Sequence, residues 1–225
     1  MKKRLKNVMQ KAAFLSFLSI VLFAVCKNTV LAKESGSAAD AGAYIGNIQI
    51  CNEESGEILE IPMDQTNVKV QSASDGGDGT VTETHEAIIA IDKDGSASYV
   101  ESVPPMTRSD ATAADSNTYW KASITITYSV NSSTASLTKV TGYWTQLRGN
   151  TTLSNRRVYY AINAGISGAG DTKYPTSNSF SYLTGFPSFS SSRLYSIGAN
   201  SSATITTEAG LQLQITANVE KKYTS

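Results

Sequence analysis

One histidine and two cysteines are all that 225 residues hold of the side chains most used for metal ligation and nucleophilic catalysis. A hydrolytic triad or a zinc site needs histidine in a defined setting. His85 stands in "TETHEA", between Glu83 and Glu86, and reads as a surface residue of an acidic strand rather than as a base. The context of Cys51 gives no support to a Cys–His pair with it. "GISGAG", Gly165–Gly170, has Ala169 where a nucleophile elbow needs glycine, and it lacks the lysine of a phosphate loop. No catalytic residue, no metal ligand and no cofactor is assigned from these motifs.

Carboxylates are plentiful, but their pattern is that of turns. "DKDG" (Asp92–Gly95) fails the calcium-loop template because position twelve from Asp92 is Val103. "DGGDG" (Asp75–Gly79) offers two acids among glycines, which is ordinary turn chemistry. Glu53, Glu54, Glu57, Glu60 and Asp64 crowd one predicted hairpin, where a glycosidase would hold two acids about 5 to 10 Å apart across a cleft. A carboxylate-based hydrolase is therefore the weakest of the functional readings.

Long apolar runs are also scarce. The one in evidence, Ala12–Cys26, follows the basic stretch "MKKRLKNVMQK" and precedes "KNTVLA" with small residues at Val30 and Ala32. A basic start, a short apolar stretch and a small-residue exit describe a secretory signal peptide over 1–32. The run falls short of the roughly 20 residues that span a bilayer, so the membrane is met only through this segment before cleavage. Cys26 raises lipid anchoring as an alternative, though "FAV" before it lacks the small residue such processing wants. The lysine-rich leader has a Gram-positive character and predicts a secreted, extracellular product. Three Asn-X-Ser/Thr sequons, at Asn131, Asn150 and Asn200, are then unused turn residues.

Without residues 1–32 the chain has 13 basic residues against 19 acidic ones, a net −6, and one cysteine, Cys51. An intramolecular disulfide is impossible in that form, and Cys51 reads as a small buried hydrophobe ending "IGNIQIC". Charge divides sharply: 33–115 carries 16 acids and four bases, 116–225 three acids and nine bases. Nine of the 11 tyrosines lie in the second part. The predicted organisation is an acidic β-hairpin region over 33–103, a linker over 104–117 with a Pro-Pro pair, and a C-terminal domain over 118–225. The acidic region reads as a solvated module, with docking onto the basic half as the alternative.

The fold class follows from period two. In "WKASITITYSV" Ala122, Ile124, Ile126, Tyr128 and Val130 share one face, with polar residues on the other. "LQLQITANV" repeats the pattern through Leu211, Leu213, Ile215, Ala217 and Val219, and "ATIT" and "RVYYAIN" fit it. Polar turns "NSST", "RGNTT" and "TEAG" separate the runs. The prediction is all-β: an antiparallel sandwich, Ig-like or jelly-roll-like, preceded by the acidic hairpins around "EESGE" and "DKDG". Between those hairpins "SASDGGDGT" reads as a mobile loop.

The densest passage is "VTGYWTQLRGNTTLSNRRVYYAINAG", Val140–Gly165. Read as a hairpin, it turns Val158, Tyr160 and Ile162 inward and leaves Arg157 and Tyr159 outside, near an exposed Tyr143 or Trp144, with Arg148 by the turn. Aromatic rings beside guanidinium groups can stack on sugars or receive acidic groups. Cross-strand pairing alone also explains such a stretch. A second candidate is "DTKYPTSNSFSYLTGFPSFSSSR", where Tyr174, Tyr182 and Phe186 belong to an aromatic loop that caps the sandwich or lines a recognition surface. These eight residues are the candidate ligand-binding set. The expected function is that of a secreted, non-enzymatic binding module for cell-wall or host carbohydrate or protein. Nucleic acid is disfavoured by the net negative charge. A self-associating structural component, built through exposed sheet edges, is the alternative.

Overall fold

The computed structural model describes residues 43–62, 67–73, 79–103 and 117–223. The predicted signal peptide, Cys26, Asp64, residues 74–78 of the predicted mobile loop and nearly all of the predicted linker lie outside them. Thirteen strands account for the described chain: β1 (Ala43–Asn52), β2 (Ile58–Pro62), β3 (Asn67–Ala73), β4 (Thr80–Ile91), β5 (Ala97–Val100), β6 (Thr118–Val130), β7 (Thr134–Arg148), β8 (Thr152–Ala164), β9 (Ser167–Lys173), β10 (Ser179–Leu183), β11 (Phe189–Ser190), β12 (Ser196–Thr206) and β13 (Gln212–Lys222). The sole helical piece among them is one 3-10 turn, Ser191–Arg193. No helix of the described residues is long and apolar enough to cross a membrane.

Two antiparallel sheets pack face to face, as alternation predicts. The first runs β2-β1-β13-β12-β8-β9; the second runs β10-β7-β6-β4-β3, with β11 beside β7 and β5 beside β4. Their inner faces make one core from Ile48, Ile50, Ile89, Trp120, Ile124, Ile126, Val158, Ile205, Ile215 and their neighbours, all essentially inaccessible. Each such side chain contributes about 1.5–3 kcal/mol on leaving water, which lets the sandwich stand on packing.

The hairpins at "EESGE" and "DKDG" form, joining β1 to β2 and β4 to β5. In the first, Asn52 Oδ1 accepts from the backbone N–H of Glu54 and Ser55 at 3.0 and 3.2 Å. In the second, Asp94 Oδ1 accepts from the Ser96 amide at 2.9 Å, and hydrogen bonds from Ser96 hold this carboxyl below its usual range.

The acidic region is not a module of its own. β1 pairs along its whole length with β13, from Ala43↔Lys222 to Asn52↔Leu213. β4 pairs with β6 from Thr80↔Ser129 to Ile91↔Thr118. Strands from both sides of the composition boundary thus alternate within each sheet. Net charge describes what the outer faces carry, whereas the inward residues Ile48, Ile50, Ile89 and Ile91 decide where the strands go.

A further correction comes from the interior. His85 is 1% exposed and points into the core from β4, with Nε2 2.6 Å from Oε1 of the equally buried Glu83. The strand's inward parity is Val81, Glu83, His85, Ala87, Ile89 and Ile91, so the pair is carried inside by its neighbours. Cys51 is buried at the end of β1, as expected.

Candidate functional site

The passage from Val140 to Gly165 is not a hairpin. β7 pairs with β6 and β10 in the second sheet, whereas β8 pairs with β12 and β9 in the first. The chain crosses between sheets at "RGNT". Gly149 makes the turn with φ +97°, and a Cβ there would lie 2.4 Å from Thr118 Oγ1. The aromatic and basic residues that the sequence places together are therefore divided between two outer faces and the core.

Trp144 belongs to the core: it is 1% exposed and its ring centroid lies 5.4 Å from that of Phe180. Its β7 neighbours Val140 and Gly142 share that inward parity, which decides between Trp144 and Tyr143. Tyr143 takes the outer face of the second sheet and donates to Glu86 Oε2, while Lys121 Nζ sits 2.7 Å from Glu86 Oε1. Burial, reinforced by the Glu86 carboxylate, pushes the Tyr143 phenol up to about 12. Arg148 lies over the Tyr119 ring, 5.2 Å from its centroid.

The Tyr174–Phe189 run is mostly structure. It contains β10, whose Phe180 and Tyr182 turn inward. Tyr182 and Phe186 pack against Tyr160 of the opposite sheet at centroid distances of 6.4 and 5.6 Å. These two rings seal the gap between sheets and are partly buried, so they do not form an open recognition surface. Tyr174, 71% exposed, stands apart from them in the β9–β10 connection.

Arg157 and Tyr159 remain, and the structure puts them on a coherent surface. Both point outward from β8 on the first sheet, because Val158 and Tyr160 occupy the inward positions. A register row runs across five strands from Asn47 on β1 to Asn218, Asn200, Tyr159 and Thr172. Asn218 Nδ2 donates to Asn47 Oδ1 at 2.7 Å, and Asn47 Nδ2 donates to Glu60 Oε1 at 2.6 Å. At an interstrand spacing of about 4.8 Å the stretch from Asn47 to Tyr159 spans about 14 Å. Alternating polar residues on a wet sheet face give this row; its amides were not singled out in the sequence, where they read as solvent-facing filler.

The Tyr159 ring lies down on that face. A Cβ on Gly170 would come within 2.9 Å of its Oη and 3.4 Å of its Cζ. The missing side chain at Gly170 leaves room for the ring to lie along the sheet. Burial raises the Tyr159 phenol above its ordinary value, with Arg157 opposing. An aromatic face lying flat beside amides that donate and accept is the arrangement that suits a sugar ring, whose apolar face stacks while its hydroxyls hydrogen-bond.

A β-bulge sets the basic neighbours. β8 and β12 lose register between Ser202 and Thr204, opposite Asn155 and Arg156, and Asn155 takes φ +50°. Arg156 is thereby turned to Asn178, donating from Nε and Nη2 to Oδ1 at 3.0 and 2.5 Å. Arg157 returns to the outer face beside Tyr159. No known protein family, curated protein or solved structure matches this chain.

Proposed function

We propose that this chain is an exported bacterial protein that binds, rather than transforms, a saccharide on the outer face of its first sheet. The observation that carries the reading is the Tyr159 ring laid over Gly170 at the end of the Asn47–Asn218–Asn200 row. The row of amides crosses four strands to Tyr159, about 14 Å, which favours an extended chain of sugar rings over a compact ligand. Export rests on the basic and apolar leader of the sequence.

The edges of the sheets bear on the self-association alternative. β9, one of the two edge strands of the first sheet, turns Asp171 and Lys173 to the inward side, joined to each other at 2.7 Å. Inward charges on an edge strand oppose the addition of another strand. Binding on a face needs no such pairing.

The test is retention of the purified chain on insoluble polysaccharides and cell walls. Tyr159→Ala is expected to weaken retention by about 2 kcal/mol, roughly thirtyfold. Gly170→Val, which keeps the tyrosine but lifts its ring, is expected to do the same with an unchanged melting temperature. Equal retention of both variants and the parent would sink the proposal.

A further inference from the structure

The outer face of the first sheet has a charge gradient, and it ends on an uncompensated cation. Glu60 stands at the β2 side, accepting from Asn47. At the other side Arg157 makes no hydrogen bond or ion pair with any described residue, unlike Arg156, which Asn178 holds. Its register partner on β12 is Ser202, which leads to Thr216 on β13, and neither carries charge. Glu220, the outward acid of β13, pairs in register with Gly198, two rows beyond. Asp171 on the neighbouring β9 is taken by Lys173. Arg157 and Tyr159 are two residues apart on one strand face, hence about 6.6 Å apart at the backbone.

A half-exposed guanidinium without a carboxylate, one step from a flat aromatic ring, has a missing partner of definite chemistry. Its planar fork matches a carboxylate held by two parallel N–H donors. From this geometry we infer that the saccharide taken by this face is acidic, with a sugar-ring carboxylate seated on Arg157 while that or the adjoining ring stacks on Tyr159. The inference rests on the saccharide reading above. It orients the ligand as well: the charged end belongs over β8 and β9, and the uncharged part follows the amides toward β1. Glu60 repels a second carboxylate at the far end. The face therefore selects a chain with acid groups at intervals over a densely charged one.

The experiment compares two polymers with their own carboxyl-methyl esters, polygalacturonate and hyaluronan, so that backbone and length stay fixed while the charge is removed. Binding of the full chain is measured at low and high salt, with Arg157→Gln, Arg157→Lys and Tyr159→Ala beside it and melting temperatures recorded. The inference expects at least one acid form to bind tenfold or more tightly than its ester. Arg157→Gln is expected to erase that preference, Arg157→Lys to keep part of it, and salt to reduce it in the parent and in Arg157→Lys but not in Arg157→Gln. If acid and ester bind equally and Arg157→Gln changes nothing, while Tyr159→Ala loses both, the acidic specificity is overturned and the saccharide face stands. If Tyr159→Ala leaves all binding unchanged, the saccharide face falls and this inference falls with it.

Discussion

At the scale of single residues, the buried pair of Glu83 and His85 has the most to lose. Both side chains are essentially inaccessible, and Glu83 Oε2 and His85 Nδ1 have no hydrogen-bond partner. Removing one member strands the other in an apolar core, which costs about 3–5 kcal/mol, whereas replacing both can approach neutrality. His85→Leu should therefore destabilise by about 3 kcal/mol in urea unfolding, and Glu83→Leu with His85→Leu by clearly less. Trp144→Ala should cost a further order of this size, about 3–5 kcal/mol, through the cavity it leaves beside Phe180. Any lost binding in that variant would reflect unfolding, since Trp144 never meets solvent. Tyr143 gives a pH signature. Its folded pKa of about 12 exceeds the free value of 10.0, so its stabilising contribution is complete below pH 10 and drains away as pH rises toward 12. Tyr143→Phe should flatten that part of the stability–pH curve, measured by denaturant midpoint.

At the scale of elements, β9 is an edge strand whose inward charges oppose the addition of another strand. Replacing Asp171 and Lys173 together by valine would leave the register with β8 intact and take away the inward charges. The expected outcome is stronger concentration-dependent association in sedimentation than the parent shows; a variant that sediments like the parent would assign the protection elsewhere. Elements also show what was legible beforehand. β6 and β13 announced themselves because every second residue is apolar and half of each strand faces water. The turns at "EESGE", "DKDG" and "TEAG" were legible because glycine and asparagine chemistry is local. The partition of β7 and β8 between sheets was not, because a polar turn at Gly149 reads the same whether the chain doubles back or crosses over. β3 was passed over for the loop beside it. Of the candidate site, Arg157 and Tyr159 were found from parity alone. Asn47, Asn200 and Asn218 were not, because a row across strands far apart in sequence exists only once the register does.

At the scale of the whole molecule, the composition boundary is not a structural one. The strands before and after residues 104–116 share both sheets, so a cut there should not part them. With a protease site engineered into that stretch, the two pieces should co-elute after cleavage and separate only in denaturant. Conversely, 117–225 expressed alone should lack dispersed amide resonances, since it exposes the flanks of β6 and β13 that β4 and β1 cover. The position of β13 has a consequence for timing. This strand, the last one described, lies inside its sheet between β1 and β12, and its pairing with β1 links Ala43 to Lys222. Contacts so distant along the chain are slow to form, and none of them can form before β13 is available. For the exported protein proposed above, such a delay keeps the chain extended while it threads a membrane channel. Here the delay is written into the strand order: until its final strand arrives, the first sheet has no centre to close around.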